Sequence, residues 1–128
     1  MRYDLQKIYD AFRGKLQGTK LMKTEVCEVL SLMPRKIIKQ VTKTCWFVSS
    51  FEDAYAFTFT GNDLKDNHLI FLSDELLSQD IDQIHYTIAH EIGHVILNHR
   101  NSTLANQTKA EIRKQEREAD LFTKQFIT

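Results

Sequence analysis

His90, Glu91 and His94, in the stretch Ala89-His90-Glu91-Ile92-Gly93-His94, are side chains that can do chemistry together. If the stretch is helical, residues four apart lie about 40° from one another around the axis, so both imidazoles face one side. Two such imidazoles can hold one metal ion. Zinc takes imidazole nitrogen at about 2.0 to 2.1 Å, and a catalytic site commonly has three protein ligands with water at the fourth position. Glu91 then lies beside that water. The ion lowers the water's pKa towards about 7, and the carboxylate can take the proton and pass it to a leaving amine.

The surrounding residues favour this reading over two histidines on an ordinary surface helix. His90, Glu91 and His94 interrupt the apolar series Ile84, Ile88, Ile92, Val95 and Ile96, which has helical spacing. Polar groups set among buried residues need a reason to be there.

A third ligand is available further along. Glu116-Arg117-Glu118-Ala119-Asp120 falls in a second helical stretch, with Ile112, Ala119, Phe122 and Phe126 at one-face spacing. Glu116 and Asp120 are four apart and stack on one face. Glu116 can be the carboxylate ligand, while Asp120 can accept a hydrogen bond from the distal ring nitrogen of a ligand histidine and fix its tautomer. Glu118 is the rival ligand, but it sits about 200° around the helix from Glu116. The spacing favours Glu116.

His90-Glu91-x-Gly93-His94 followed by Glu116-x-Glu118-Ala119-Asp120-x-Phe122 resembles the gluzincin metallopeptidases, and most of all the ImmA/IrrE family. The small stand-alone gluzincins of archaea are a second resemblance. Both imply a zincin-like fold, zinc held by His90, His94 and Glu116, Glu91 as general base, and Asp120 behind a ligand imidazole. The ImmA/IrrE resemblance implies limited proteolysis of a helix-turn-helix repressor. Zincins of this kind also bind extended peptide along a sheet edge, here Tyr55 to Thr60 or His68 to Leu72. The metzincin pattern is not met, since its third His would fall at Arg100 and its Gly at Leu97.

Composition sets bounds on the rest. The 128 residues fit a single domain, with N-terminal helices over 1–33, a sheet over 42–72 and the metal-binding helices over 82–128. Seventeen basic residues balance seventeen acidic ones, so no net field attracts nucleic acid or an acidic membrane surface. No unbroken apolar run exceeds four residues, which excludes a membrane span and a signal peptide core. Cys27 and Cys45 form no metal or redox motif and read as buried free thiols, so a cytoplasmic location is expected. Oligomeric state is not legible.

Periodicity places the supporting helices and strands. Leu5, Ile8, Tyr9 and Phe12 predict a helix over Tyr3 to Arg13; Met22, Val26, Val29, Leu30 and Met33 predict a second over Lys20 to Met33, ended by Pro34. Arg35, Lys36 and Lys39 around Ile37, Ile38 and Val41 read as a solvated connection. Strands are expected at Thr44 to Ser49, Ala54 to Thr60 and His68 to Leu72, the first two joined by a hairpin turn at Ser49 to Asp53. The expected fold is α+β: a small zincin-like domain with a three-stranded, mainly antiparallel sheet packed against the active-site helix and further helices. Trp46, Phe57 and Phe59 are core candidates. Ser73 is read as the cap of a short helical piece, and Asp80 or Asp82 as the cap of the metal helix.

His99 lies five residues after His94, about 140° around the helix, hence off the ligand face unless the helix has ended. His85 reads as a surface residue. Tyr55, Tyr86, His68 and His99 are candidates for an oxyanion donor, with none preferred. A different class of function keeps the fold without turnover: a metal-bound interaction module, such as a regulatory or antitoxin-like partner. The intact Glu91 argues against it, because a purely structural zinc site has no use for a general base and usually closes its fourth position with protein.

Overall fold

The computed structural model describes residues 4–50, 56–60, 67–99 and 108–127, with side chains for all of these except 50 and 56–60. Six helices and four strands make an α+β arrangement among these residues, with β2, β3 and β4 consecutive and three helices after them. Helix α1 (Leu5–Ala11) is opened by Asp4, whose carboxylate accepts from the backbone N–H of Gln6 at 2.8 Å and of Lys7 at 3.4 Å. Helix α2 (Lys20–Ser31) is capped by Thr19, which accepts from Met22 N–H. Its Met22, Val26, Val29 and Leu30 are fully buried, so the methionine is core filler as expected.

Residues 35–41, expected to be a solvated connection, are instead part of a helix, α3 (Arg35–Thr44). Pro34 both stops α2 and begins α3, since its fixed φ and missing N–H suit the start of a helix. The basic residues form the outer face of α3, and Ile38, Val41 and Thr42 are buried beneath them.

The sheet departs most from expectation. It has four strands in the order β1-β2-β4-β3: β1 (Leu16–Gln17), β2 (Cys45–Ser50), β3 (Ala56–Thr60) and β4 (His68–Ser73). β2 runs parallel to both β1 and β4; only β3, along β4, is antiparallel. No β2–β3 hairpin forms, because β4 lies between them. Composition explains the pairing. Cys45 to Val48 and Leu69 to Leu72 are unbroken apolar runs, as parallel strands within a sheet tend to be, whereas Ala56–Thr60 alternates with threonine and takes the edge. Strand-like alternation identifies strands but not their partners.

Inward positions Cys45, Phe47, Ile70 and Leu72 are buried in one cluster with Ile84, Ile88 and Ile92. Phe47 meets Phe12 edge to face, with ring centroids 5.8 Å apart. Trp46 points to the other face and is 38% exposed, so it is not a core residue; register had to be known before Trp46 and Phe47 could be told apart. The side chains of Phe57 and Phe59 lie outside those described. Among the described residues, no helix is long and apolar enough to cross a membrane.

Both cysteines are free and buried. Burial, reinforced by Glu28, pushes the Cys27 thiol up to about 11, and burial pushes Cys45 up to about 12 against smaller opposing effects of Thr44 and Lys15. Because the thiolate is the reacting form, alkylation of the native protein at pH 8 should be slower than that of an exposed thiol by about a hundredfold or more. Denaturant should release both thiols. Mass spectrometry after timed alkylation checks this, and rapid native labelling at either position would contradict the burial described.

Candidate metal centre

Helix α5 (Ile81–Ile96) follows a short helix, α4 (Asp74–Leu77), capped by Ser73. Asp80 caps α5, accepting from Gln83 N–H at 2.9 Å. Ile84, Ile88, Ile92 and Val95 fix which side faces the core, and α5 packs across β3 and β4. Glu91 falls on that buried stripe, three residues after Ile88 and four before Val95, and is only 8% exposed. A carboxylate held there is costly unless it has work or partners. His85 is not a free surface residue: it pairs across to the buried Glu25 of α2 at 2.5 Å and ties the two helices together.

Helix α6 (Lys109–Lys124) is charged over most of its surface and is opened by Thr108, which accepts from Glu111 N–H. Its buried face is narrow: Ala119, Phe122 and Thr123. That face approaches α5 at Gly93, where a Cβ would meet the Phe122 ring at 2.9 Å and the Ala119 carbonyl oxygen at 3.5 Å. The glycine therefore sets how near Glu116 comes to the histidines. Gly93→Val should cost about 1–3 kcal/mol by overpacking and should weaken metal binding more than tenfold, as read by thermal melting and chelator competition. Unchanged metal affinity at lowered stability would show that Gly93 does not control the distance between the helices.

The three expected ligands converge. Nε2 of His90 lies 2.9 Å from one Glu116 oxygen, Nε2 of His94 lies 3.2 Å from the other, and the two Nε2 atoms are 3.1 Å apart. All three residues offer ligand atoms within 4.8 Å of one another. A tetrahedral ion with bonds near 2.0 Å keeps its ligand atoms about 3.3 Å apart. This donor set therefore has the size and chemistry to hold such a cation. Two imidazoles and an acid also match the ligand types of a hydrolytic zinc site. Burial, aided by His90 and His99 and opposed by Glu116, lowers the His94 pKa to about 4, so its ring is neutral near pH 7 and has a lone pair to give.

Asp120 lies behind His90. Its Oδ1 is 3.0 Å from His90 Nδ1, yet off the line of the ring N–H, so this buried nitrogen lacks a well-formed hydrogen bond. The same Oδ1 accepts from the Tyr86 hydroxyl at 2.7 Å. Burial, then the hydrogen bond and charge of Asp120, raise the Tyr86 pKa to about 12, which keeps that hydroxyl a donor. Tyr86, one of the oxyanion candidates, is thus engaged by Asp120. Another candidate, Tyr55, lies outside the described residues.

Glu118, the rival ligand, reaches His99 instead, 3.3 Å from its Nε2. His99 in turn places Nδ1 2.9 Å from Nδ1 of His94. Neither role is legible from spacing along a helix, although Asn98 carries a signal. Asparagine tolerates the left-handed backbone that ends many helices, and Asn98 has φ 57° immediately before His99.

Residues 81–128 match the family model of Peptidase U49, which indicates a peptidase. The matched span holds α5 and α6 and so every candidate ligand. The family matched is Peptidase U49, not the ImmA/IrrE family that the motifs resemble. No curated protein and no solved structure matches the chain.

Proposed function

We propose that this protein is a zinc-dependent endopeptidase of the His-Glu-x-x-His gluzincin type. The observation that carries the reading is the approach of the Glu116 carboxylate to Nε2 of both His90 and His94, one turn apart on a helix whose intervening Glu91 is buried. His90, His94 and Glu116 hold the ion. When bound, zinc polarises a peptide carbonyl and makes water acidic enough to be deprotonated near neutral pH. Glu91 accepts the water proton on a carboxylate oxygen and returns it to the departing amine nitrogen. Asp120 places its negative charge 3.0 Å behind His90 Nδ1, and Tyr86 donates a hydrogen bond that holds Asp120 in place.

The substrate is a protein segment in extended form. β3 is the sheet edge beside α5, and an edge strand offers unpaired backbone groups to a peptide. A repressor of the helix-turn-helix class is the substrate that the ImmA/IrrE resemblance implies, and the two buried free thiols suit action in the cytoplasm. The test is elemental analysis of the purified protein, followed by cleavage of an unfolded protein such as reduced casein with and without chelator. One zinc per chain and chelator-sensitive cleavage are expected. Cleavage that survives zinc removal would overturn the reading, and zinc without any cleavage would favour the interaction module.

A further inference from the structure

The end of α5 is folded so that one histidine reads the back of another. Beyond Ile96 the chain closes with two backbone hydrogen bonds, Asn98 N–H to Val95 carbonyl at 3.1 Å and His99 N–H to His94 carbonyl at 2.9 Å. With Asn98 in the left-handed region, this is the Schellman pattern, which brings the residue after the turn against the one five before it. The contact is usually apolar. Here it joins two imidazoles, with ring centroids 5.1 Å apart and Nδ1 facing Nδ1 at 2.9 Å.

Two nitrogens at that distance share one proton, and the neighbours decide where it sits. His99 Nε2 lies at ion-pair distance from Glu118 Oε1, 3.3 Å, and a carboxylate, which only accepts, favours the proton on that nitrogen. In the neutral ring, Nδ1 of His99 is then bare and accepts. His94 then supplies the proton from its own Nδ1, and its Nε2, 3.2 Å from Glu116 and 3.1 Å from His90 Nε2, is left bare for the cation that the zinc reading places among them.

We infer that Glu118 and His99 form a positioning arm that fixes His94 as the Nδ1–H tautomer with Nε2 bare. This rests on the zinc reading of the site. The arm gives Glu118 a task separate from those of Glu116 and Asp120. His99 and Glu118 are positioning residues that touch neither ion nor substrate. Outer partners of this kind are typically worth 10–100-fold in metal affinity.

The experiment begins with the zinc-loaded wild type. Nitrogen-15 spectra of labelled histidine distinguish the tautomers, and His99 is expected to bear its proton on Nε2. A proton on His99 Nδ1 would overturn the arm without any variant being made. Zinc affinity by chelator competition then follows for His99→Ala, Glu118→Ala, Glu118→Gln and the double alanine variant. His99→Ala should weaken zinc 10–100-fold. Glu118→Ala should weaken it less, Glu118→Gln should restore most of the loss because its amide oxygen accepts the same proton, and the double variant should match His99→Ala. Additive losses, or no loss, would defeat the proposal. Glu118 is 44% exposed, so its variants are expected to fold even if His99→Ala does not. A wild type that binds no zinc is a failure of the underlying site; a wild type that binds while the single variants match it is a failure of the arm alone.

Discussion

Glu91→Gln should abolish peptide cleavage while leaving one zinc bound per chain, with affinity within a few-fold of wild type. Glutamine keeps the length and shape of the side chain but cannot take a proton from water near neutral pH. Loss of a positioned general base typically lowers turnover by about 10²–10⁴. Glu91 is a neighbour of His90 in sequence but is absent from the triad that offers ligand atoms, so its replacement leaves the proposed donors intact. The measurement is kcat on a fluorogenic unfolded protein alongside zinc content by elemental analysis. Equal turnover by both forms would defeat the assigned mechanism. Loss of zinc together with turnover would make Glu91 a part of the ion's support rather than the base.

Glu116→Ala has the opposite signature, since it should remove the metal and, through it, the activity. Structural zinc sites bind with about 10–16 kcal/mol over four ligands, so one ligand is worth about 3 kcal/mol, or a hundredfold and more in affinity. The Glu116 side chain is 53% exposed, so the metal-free variant should fold and melt much like the metal-free wild type. Added zinc should raise the wild-type melting temperature, as any ligand selective for the native state does, and raise that of the variant far less. An undiminished zinc-dependent rise in Glu116→Ala would remove this residue from the ligand set. Glu118→Ala is the control, because Glu118 reaches His99 rather than the two ligand imidazoles, and its loss of affinity should be the smaller of the two.

These expectations show how unevenly the chain discloses itself. His90, Glu91 and His94 are legible because their relations are local: a helix of known pitch fixes their directions, and the apolar series around them makes the helix plain. Glu116 was reachable by the same logic, since an acid four residues before another on a second helix is a recognisable pair. Spacing alone offers Glu118 only as a ligand. Its contact with His99 depends on where α5 ends and how the chain turns there, and one left-handed residue, Asn98, decides both.

The sheet divides along the same line. The strands were visible in β-branched and aromatic runs, but alternation is a property of one strand and pairing is a property of two. That β4 lies between β2 and β3, that Trp46 is exposed while Phe47 is buried, and that Pro34 begins α3 as well as ending α2 were settled by packing. By itself the amino-acid order determined the identity and spacing of the chemical groups, because spacing along a helix is geometry carried by the backbone. Which acid meets which imidazole is a matter of packing, because it depends on how closely α6 can approach α5, and the two helices come together where Gly93 leaves room for Phe122.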